Sequence, residues 1–240
     1  MLGSEQLYRK LNHRVSKGIK EYQLIEPGDA LLIGLSGGKD SLALLEVLAD
    51  RMHWSNLPFT LFAVHIRMRG IHYATDVSYL AHFSKKWGVP FLVKTAAFDG
   101  DSNKNPCYRC SWNRRRMLFQ TAQELGCNKI ALGHHMDDIL QTLLMNMVFQ
   151  GSFSTMPPYT KMSRVPVDII RPLCLVEERE LIELANGRGY HKLVKECPYE
   201  RDSKRSEIAD VMRTIEKMSP KAKANLWASM SNVQKAYLPR

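Results

Sequence analysis

The chain has 240 residues, a formal net charge of +10 and five cysteines. This length suffices for one full-sized enzyme domain, and the positive charge makes an anionic macromolecule a reasonable partner, although solubility alone explains such a charge equally well. No stretch approaches the roughly 20 apolar residues of a membrane span, and the N-terminus lacks a signal peptide's apolar segment, so we expect a cytoplasmic protein with no membrane partner. The odd number of cysteines favours reduced thiols, metal ligands or catalysis over a disulfide framework.

The predicted elements alternate between strands and helices along the chain. An amphipathic basic helix comes first, because Leu7, Leu11, Val15 and Ile19 recur at helical spacing. Such alternation predicts an α/β fold: a doubly wound, mainly parallel sheet with helices on both faces and ligands at the carboxyl ends of the strands. The predicted strands are residues 30–35, 59–66, 91–95, 129–133 and 167–173, and the later predicted helices are residues 42–48, 74–87, 111–125, 137–149, 177–186 and 206–218.

Three regions follow from this organisation. We expect an N-terminal basic helix in residues 1–28, a catalytic domain in residues 29–218, and a basic tail in residues 219–240 to which the sequence assigns no role. Polar loops are predicted at residues 99–106 and 150–166.

The glycine-rich loop at residues 36–41 joins the first predicted strand to the helix that follows it. Gly37 and Gly38 let the backbone bend tightly and approach a ligand, while the N-terminus of the helix attracts an anion. A phosphate is the expected ligand. The spacing departs from the Walker loop, because Lys39-Asp40 stands where Lys-Ser/Thr belongs.

The second motif is Cys107-Tyr108-Arg109-Cys110. Two thiolates three residues apart on a turn can chelate one soft metal centre, and both zinc and iron–sulfur clusters use this unit. A redox dithiol or chance spacing is the alternative interpretation. Cys197 lies in a charged turn and is a plausible third ligand, which would leave one metal position open, whereas Cys127 and Cys174 are expected to be packing residues.

The third motif, Gly133-His134-His135-Met136-Asp137-Asp138, follows the fourth predicted strand. A carboxylate there, across the same cleft as a phosphate loop, can hold Mg²⁺ or orient the attacking group, and Asp137 is the better candidate. For Asp138, helix capping is about as plausible as a functional role. Either histidine could serve as a ligand or a base, although a hydrogen bond to its own loop is commoner.

These residues carry a family resemblance. The segment Ser36-Gly37-Gly38-Lys39-Asp40-Ser41 resembles the SGGxDS loop of the PP-loop, or N-type, ATP pyrophosphatases, which cleave ATP between the α and β phosphates and adenylate a substrate oxygen. With Cys107, Cys110, Cys197 and the segment 133–138, the chain is most similar to the tRNA 2-thiocytidine synthetase family, from the N-terminal helix to about residue 212. The resemblance implies a Rossmann-like fold of the HUP type.

The resemblance also implies residue roles. The phosphate loop would cradle the β and γ phosphates while Lys39 and Mg²⁺ balance their charge, Asp40 and Asp137 would bind magnesium or orient a reactant, and the backbone at residues 64–66 would seat the adenine. The implied catalytic residues are Lys39, Asp40 and Asp137. The implied ATP-binding residues are Ser36, Gly37, Gly38, Lys39, Asp40, Ser41, Val64, His65, Ile66, Gly133 and His134.

In that family three cysteines, here Cys107, Cys110 and Cys197, hold a [4Fe–4S] cluster with one iron free of protein ligands. The implied reaction adenylates the C2 oxygen of an anticodon-loop cytidine, expected at position 32, and replaces it with sulfur, releasing AMP and pyrophosphate. Its implied partners are tRNA and a sulfur donor such as a cysteine desulfurase, and a homodimer is compatible with the sequence. The sequence departs from the family pattern where a single cysteine precedes Pro198 and a second often occurs.

The target base must leave its stack, which is easiest in a single-stranded loop such as an anticodon loop. Arg114, Arg115 and Arg116, together with the basic N-terminal helix, are candidates for RNA phosphate contacts, although a solvated face explains any one arginine equally well. Trp112 or Tyr108 could stack a base, but a core or packing role is expected of each.

Three alternatives stay open. A thiouridine synthetase would use the same loop on another base, although relatives with zinc-finger modules carry further CxxC pairs that this chain lacks. A lysidine-forming enzyme would need the loop but no cysteine trio. A nonenzymatic RNA-binding module could hold structural zinc, but it would have little use for a triphosphate loop.

Overall fold

The computed structural model describes residues 4–70, 72–73, 77–97, 106–191, 195–196 and 204–238. The chain forms two compact units. The first consists of Met1–His135 and Pro157–Glu200, and the second of Met136–Met156 and Arg201–Arg240. Among the described residues, no helix has the length and apolar character needed to cross a membrane.

The first unit is built on a mainly parallel sheet. The strands are β1 (Ala30–Gly34), β2 (Thr60–Met68), β3 (His72–Tyr73), β4 (Phe91–Ala96), β5 (Lys129–Ala131), β6 (Tyr159–Thr160), β7 (Asp168–Ile170) and β8 (Lys195–Glu196). Six of them form a sheet of order β4-β2-β1-β5-β7-β6, in which only the edge strand β6 is antiparallel to its neighbour, and β3 pairs separately with β8. The predicted α/β class is confirmed.

Helices complete both units. They are α1 (Ser4–Glu21), α2 (Lys39–Trp54), α3 (Ser78–Lys86), α4 (Pro106–Glu124), α5 (Met136–Gln150), α6 (Glu178–Arg188), α7 (Lys204–Met218) and α8 (Ala222–Ser229), followed by a short 3₁₀ helix, Lys235–Tyr237. In the second unit α5, α7 and α8 contact one another.

The core of the first unit centres on β1 and α2. Leu31, Leu32 and Ile33 of β1 are fully buried between β2 and β5, and Leu44 and Leu48 of α2 are equally buried. Burial of each such side chain contributes on the order of 2 kcal/mol relative to exposure. The loop between β1 and α2 is therefore held at both ends by the best-packed part of the unit.

The N-terminal helix α1 is an integral part of this core. Its apolar face, which includes Leu11 and Val15, is buried, and α1 contacts α6. Lys10 pairs with the buried carboxylate of Glu180 at 3.2 Å, and Arg14 lies 3.4 Å from the same residue. Two basic residues of the N-terminal helix, a sequence-based candidate for RNA contact, thus pair with a carboxylate of the fold. The domain boundaries at residues 28 and 218 stay predictions.

The largest difference from the predicted elements is at α4, which begins at Pro106 and not at residue 111. Proline is favoured in the first turn of a helix because its missing N–H and fixed φ cost nothing there. Cys107 and Cys110 consequently lie on a helix and not on a turn. The predicted loop at residues 150–166 also contains the short strand β6, and the predicted tail contains α8.

Candidate active site

The glycine-rich loop lies at the carboxyl end of β1, where it closes on itself through serine hydroxyl groups. Ser41 accepts hydrogen bonds from Ser36 Oγ at 3.1 Å and from the Gly37 N–H at 3.2 Å, and it donates to the Gly38 carbonyl at 2.9 Å. Gly37 has a positive φ of 85°, which favours glycine, and Gly38 caps α2 without a side-chain hydrogen bond. The loop is preshaped around the N-terminus of a helix, a common anion site.

Lys39 lies between two carboxylates beside this loop. Its ammonium is 3.1 Å from Asp40 Oδ1 and 3.0 Å from Glu178 Oε1, at the start of α6. Burial disfavours the charged ammonium, but the attraction of Asp40 and Glu178 outweighs it and raises the pKa of Lys39 above its ordinary value. Lys39 is therefore positively charged at neutral pH and can pair with a phosphate.

Gly133 packs closely against the backbone of the phosphate loop. A Cβ atom at this position would lie 3.1 Å from the carbonyl carbon of Asp40 and 3.2 Å from the amide nitrogen of Ser41. Because both neighbours are backbone atoms, they cannot turn aside as a flexible side chain would. The glycine is needed for the close approach of the strand end after β5 to the loop.

A cavity of about 170 Å³ opens beside the loop at the carboxyl ends of β1 and β2. Its walls are mostly apolar, and a guanidinium from α4 supplies its charge. A cavity with apolar walls and few polar groups suits a flat heterocycle that carries an anionic group. It is lined by Gly34, Leu35, Ser36, Val64, Ile66, Arg114, Leu118 and Leu132.

His65 holds the two strands beside the cavity together. The residue is fully buried, and its Nδ1 atom lies 2.8 Å from the Leu35 carbonyl oxygen. Burial lowers the pKa of His65, and the positive charges of Arg114 and Arg67 lower it further, so the imidazole is neutral at neutral pH. The side chain of His65 thus braces the predicted adenine seat from within the sheet.

Cys107 and Cys110 lie in the first turns of α4, with Cys107 exposed and Cys110 partly buried. Residues three apart on a helix share one face, so two thiolates here can reach one metal centre. Cys197 lies outside the described residues, and its participation stays a prediction. Within the described ranges, no group of three or more Cys, His, Asp or Glu side chains is placed to hold a metal ion.

The two remaining cysteines are packing residues, as predicted. Cys127 and Cys174 are buried, and burial raises the pKa of the Cys127 thiol to about 11 and that of the Cys174 thiol to about 12. Both are therefore protonated at neutral pH and are poor metal ligands.

The three consecutive arginines of α4 fall in different surroundings. Arg114 lines the cavity, with its guanidinium 3.5 Å from the Ile66 carbonyl oxygen, whereas Arg115 and Arg116 are exposed. Trp112 and Tyr108 on the same helix are 47% and 55% exposed, so a core role, one of the two expected of them, is wrong. Helical geometry explains the difference, because only the Cys110 and Arg114 face turns towards the sheet.

The third motif divides between the two units. Gly133, His134 and His135 end the first part of the first unit, with His135 buried, whereas Asp137 opens α5 of the second unit. Within that unit Asp137 forms an ion pair with Lys223 of α8, with 2.6 Å between Asp137 Oδ1 and Lys223 Nζ. Burial opposes the ammonium of Lys223, but Asp137 and Glu216 outweigh it and raise its pKa. A magnesium-binding or orienting role for Asp137 stays a prediction.

Two residues that pair with predicted site residues were not predicted from the sequence. Glu178 and Lys223 lie 139 and 86 positions from the residues they pair with, Lys39 and Asp137. Nothing in their local sequence marks either residue, because an acidic first turn and a basic helix surface are ordinary features. Only the alternation of strands and helices hints that Glu178, just beyond the last strand, comes near the carboxyl edge of the sheet.

Comparison with known proteins agrees with this architecture. A family model described as a PP-loop domain matches residues 5–211. A tRNA-cytidine(32) 2-sulfurtransferase of Neisseria meningitidis serogroup A is 34% identical over 99% of this chain and 76% of its own length. A protein of the same name from Alkalilimnicola ehrlichii is 33% identical over 99% of this chain and 77% of its own length.

A solved structure gives the same picture. The U34-tRNA thiolase NcsA of Methanococcus maripaludis, solved with its [4Fe–4S] cluster, is 25% identical to this chain with a TM-score of 0.75. The match covers 98% of this chain and 81% of that one.

Proposed function

The chain belongs to the PP-loop family and, within it, to the tRNA-cytidine(32) 2-sulfurtransferases, and from this we propose that it replaces the C2 oxygen of cytidine 32 in tRNA with sulfur at the expense of ATP. The C2 oxygen attacks the α phosphate, pyrophosphate leaves, and the adenylated oxygen then departs as AMP when sulfur takes its place at C2. The chain thus acts as a tRNA sulfurtransferase.

The nucleotide half of the site is formed by the phosphate loop and the neighbouring cavity. The Ser36–Ser41 segment receives the β and γ phosphates at the N-terminus of α2, and Lys39 supplies a compensating charge. The apolar cavity wall at Val64 and Ile66 receives the adenine, because it begins where the loop ends. ATP then spans from the cavity to the helix terminus.

Magnesium and the remaining predicted residues complete this half of the proposal. Asp40, which lies within the loop, supplies a carboxylate for Mg²⁺. A magnesium-binding or orienting role for Asp137 stays a prediction from the sequence. Gly133 allows the end of β5 to approach the loop. The next residue, His134, is partly buried. A sulfur donor such as a cysteine desulfurase, a homodimer and a cytoplasmic location also remain parts of the proposal drawn from the sequence.

The sulfur half of the site is formed by the start of α4. Cys107 is exposed, Cys110 is partly buried, and the two share one helix face, so they fit two ligands of an iron–sulfur cluster. Cys197 is the proposed third ligand. When bound, a [4Fe–4S] cluster held by three cysteines supplies an iron without a protein ligand, at which inorganic sulfur can be carried.

The observation that carries the proposal is the arrangement of one helix. Cys107, Cys110 and Arg114 recur at i, i+3 and i+7 on α4, and Arg114 lines the nucleotide cavity. The sulfur-carrying and ATP-binding parts of the first unit are therefore joined by two turns of helix. We assign Arg114 to the nucleotide and retain Arg115 and Arg116 for RNA phosphates, since both are exposed.

An anaerobic assay tests this function. Protein reconstituted with iron and sulfide is incubated with ATP, Mg²⁺, sulfide and a tRNA transcript carrying cytidine 32, and nucleosides are analysed by mass spectrometry. We expect 2-thiocytidine with stoichiometric AMP and pyrophosphate. Cys110→Ser should abolish thiolation while keeping ATP binding, and Ser111→Ala, an exposed neighbour on the same helix, should retain both.

Other outcomes distinguish the alternatives. Thiolation of a transcript with uridine 32 but not cytidine 32 would indicate a thiouridine synthetase. A colourless zinc protein that binds RNA but no ATP would replace the enzyme by an RNA-binding module.

A further inference from the structure

Helix α4 carries a second face beside the cysteine face. Tyr108, Trp112 and Arg115 recur at i, i+4 and i+7, so their side chains form one stripe along the helix, and Arg116 borders it. At about 100° per residue, this stripe is turned by roughly a quarter of the circumference from Cys107. We call these four residues the aromatic–arginine stripe.

The aromatic rings of the stripe are open to solvent. Tyr108 is 55% exposed and Trp112 is 47% exposed, although large aromatic side chains gain most by burial. The two rings lie one helical turn apart on the helix that carries Cys107 and Cys110. Exposed aromatic surface of this kind marks a contact site more often than an isolated exposed side chain does.

The positive charges of the stripe indicate which kind of partner it contacts. The Arg116 guanidinium lies 5.7 Å from the centre of the Trp112 ring, a cation–π distance. In the part of the chain that the structure describes, neither Arg115 nor Arg116 forms an ion pair with a carboxylate. The first acidic residue of α4 is Glu124, at its far end, and it pairs with Lys94. The stripe therefore combines flat apolar rings with cations available for phosphates.

Rings interleaved with arginines are the features that bind single-stranded nucleic acid, because every base has a face to stack and every nucleotide has a phosphate. A protein partner would also use exposed tyrosine, tryptophan and arginine. RNA is favoured here, since the stripe adjoins the cysteines at which the substrate base must arrive unstacked, and a neighbouring base then loses its own stacking partner.

We propose that the aromatic–arginine stripe binds an unpaired nucleotide flanking the reacting cytidine, with its base stacked on Trp112 and its phosphate held by Arg115 or Arg116. This inference rests on the proposed function and adds to it a second base-binding position. It makes the stripe a positioning surface, which fixes the RNA loop while the chemistry takes place on the other face of α4.

Binding of a fluorescently labelled anticodon stem–loop, measured by anisotropy, tests the proposal in the full chain. Trp112→Ala should weaken binding roughly 5- to 150-fold, the range expected for loss of one stacking contact. Trp112→Phe should restore most of the affinity, and Trp112→Leu, which is apolar but cannot stack, should not. Trp54→Ala is the matched control, because Trp54 is 85% exposed at the distant end of α2.

The arginines have a separate readout. Loss of one phosphate contact should reduce the slope of log affinity against log salt by about 0.7 to 0.9. Arg115→Gln or Arg116→Gln should show this reduction, and Lys85→Gln, a charge change at an exposed position of α3, should not.

Failure of this inference is distinguishable from failure of the proposed function. Unchanged RNA affinity in Trp112→Ala, or equal rescue by leucine and phenylalanine, would overturn the stacking role even if the wild-type chain thiolates tRNA normally. Unchanged RNA affinity combined with loss of sulfur transfer from a protein donor would assign the stripe to that donor, and would equally overturn our inference. If the wild type binds the stem–loop through Trp112 but produces no 2-thiocytidine, only the proposed function fails.

Discussion

The ammonium of Lys39 lies 3.0 Å from Glu178 Oε1, so the lysine of the phosphate loop is paired with a carboxylate of α6. Asp40 approaches the same ammonium at 3.1 Å. Glu178 is not needed to cap α6, because Glu177 and Glu180 form the capping box there. The pair therefore links the loop to α6, and ATP must compete with two carboxylates for one lysine.

Replacing Glu178 by glutamine should strengthen ATP binding, because one competing charge is removed from Lys39. The side chains are 28% and 43% exposed, so solvent screening limits the effect to about 0.5–1 kcal/mol, or roughly two- to fivefold in affinity. Calorimetric titration with ATP measures it. Glu183→Gln makes the same charge change at an exposed position of the same helix, and equal affinities in the two variants would disprove the competition.

Replacing Gly133 by alanine should distort the phosphate loop. The added Cβ would meet the backbone of Asp40 and Ser41 at 3.1–3.2 Å, and we expect a loss of about 1–3 kcal/mol in the free energy of unfolding together with weaker ATP binding. Denaturant unfolding measures the first effect. Gly38→Ala is the comparison, since its Cβ would meet only Ser36 Oγ at an ordinary 3.5 Å and φ is −77°. Equal stability of the two variants would contradict this explanation.

Replacing Arg114 by methionine tests whether this residue serves the nucleotide or the RNA. The methionine keeps the apolar stem in the cavity but removes the charge, so ATP affinity should fall about tenfold, the loss of one charge-assisted hydrogen bond. RNA affinity should change no more than it does in a variant of any distant surface arginine. The opposite pattern, unchanged ATP binding with weakened RNA binding, would return Arg114 to the RNA surface.

Mild acid should destabilise the fold through His65. Burial lowers the pKa of His65 in the folded chain, so below about pH 6.5 the unfolded chain binds a proton that the folded chain does not. Stability therefore falls as the pH drops, by up to about 1.4 kcal/mol per pH unit. His65→Gln should flatten this dependence in unfolding experiments between pH 7 and 5, whereas His82→Gln, at an exposed position, should keep it. Parallel pH profiles for wild type and His65→Gln would exclude His65 as the source.

The sheet was predictable because its strands are buried apolar runs. The predicted strands at residues 30–35 and 59–66 are mainly apolar stretches between turn signals, and the structure has β1 (Ala30–Gly34) and β2 (Thr60–Met68) there. The start of α4 was not predicted, because Cys107, Tyr108 and Cys110 have weak helix propensity and the short segment shows no apolar periodicity. Pro106 is compatible with a helix start as well as with a loop.

Site residues that belong to one local motif could be predicted from the sequence. Pairs of residues that are far apart in the sequence could not. Residues 36–41 announce an anion site by their own sequence, but the pairing of Lys39 with Glu178 depends on how α6 packs against α2. Likewise, three identical arginines at 114–116 differ only through the rotation of α4, which places the first against the sheet and leaves the others in solvent. Periodicity alone could not set that rotation before the helix start was known.

The most direct test of the account is mass spectrometry of tRNA nucleosides from cells that lack this protein. We predict that 2-thiocytidine disappears while other thiolated nucleosides remain, and that it returns with the wild-type chain but not with Cys110→Ser. Undiminished 2-thiocytidine in the deletion strain would contradict the central claim.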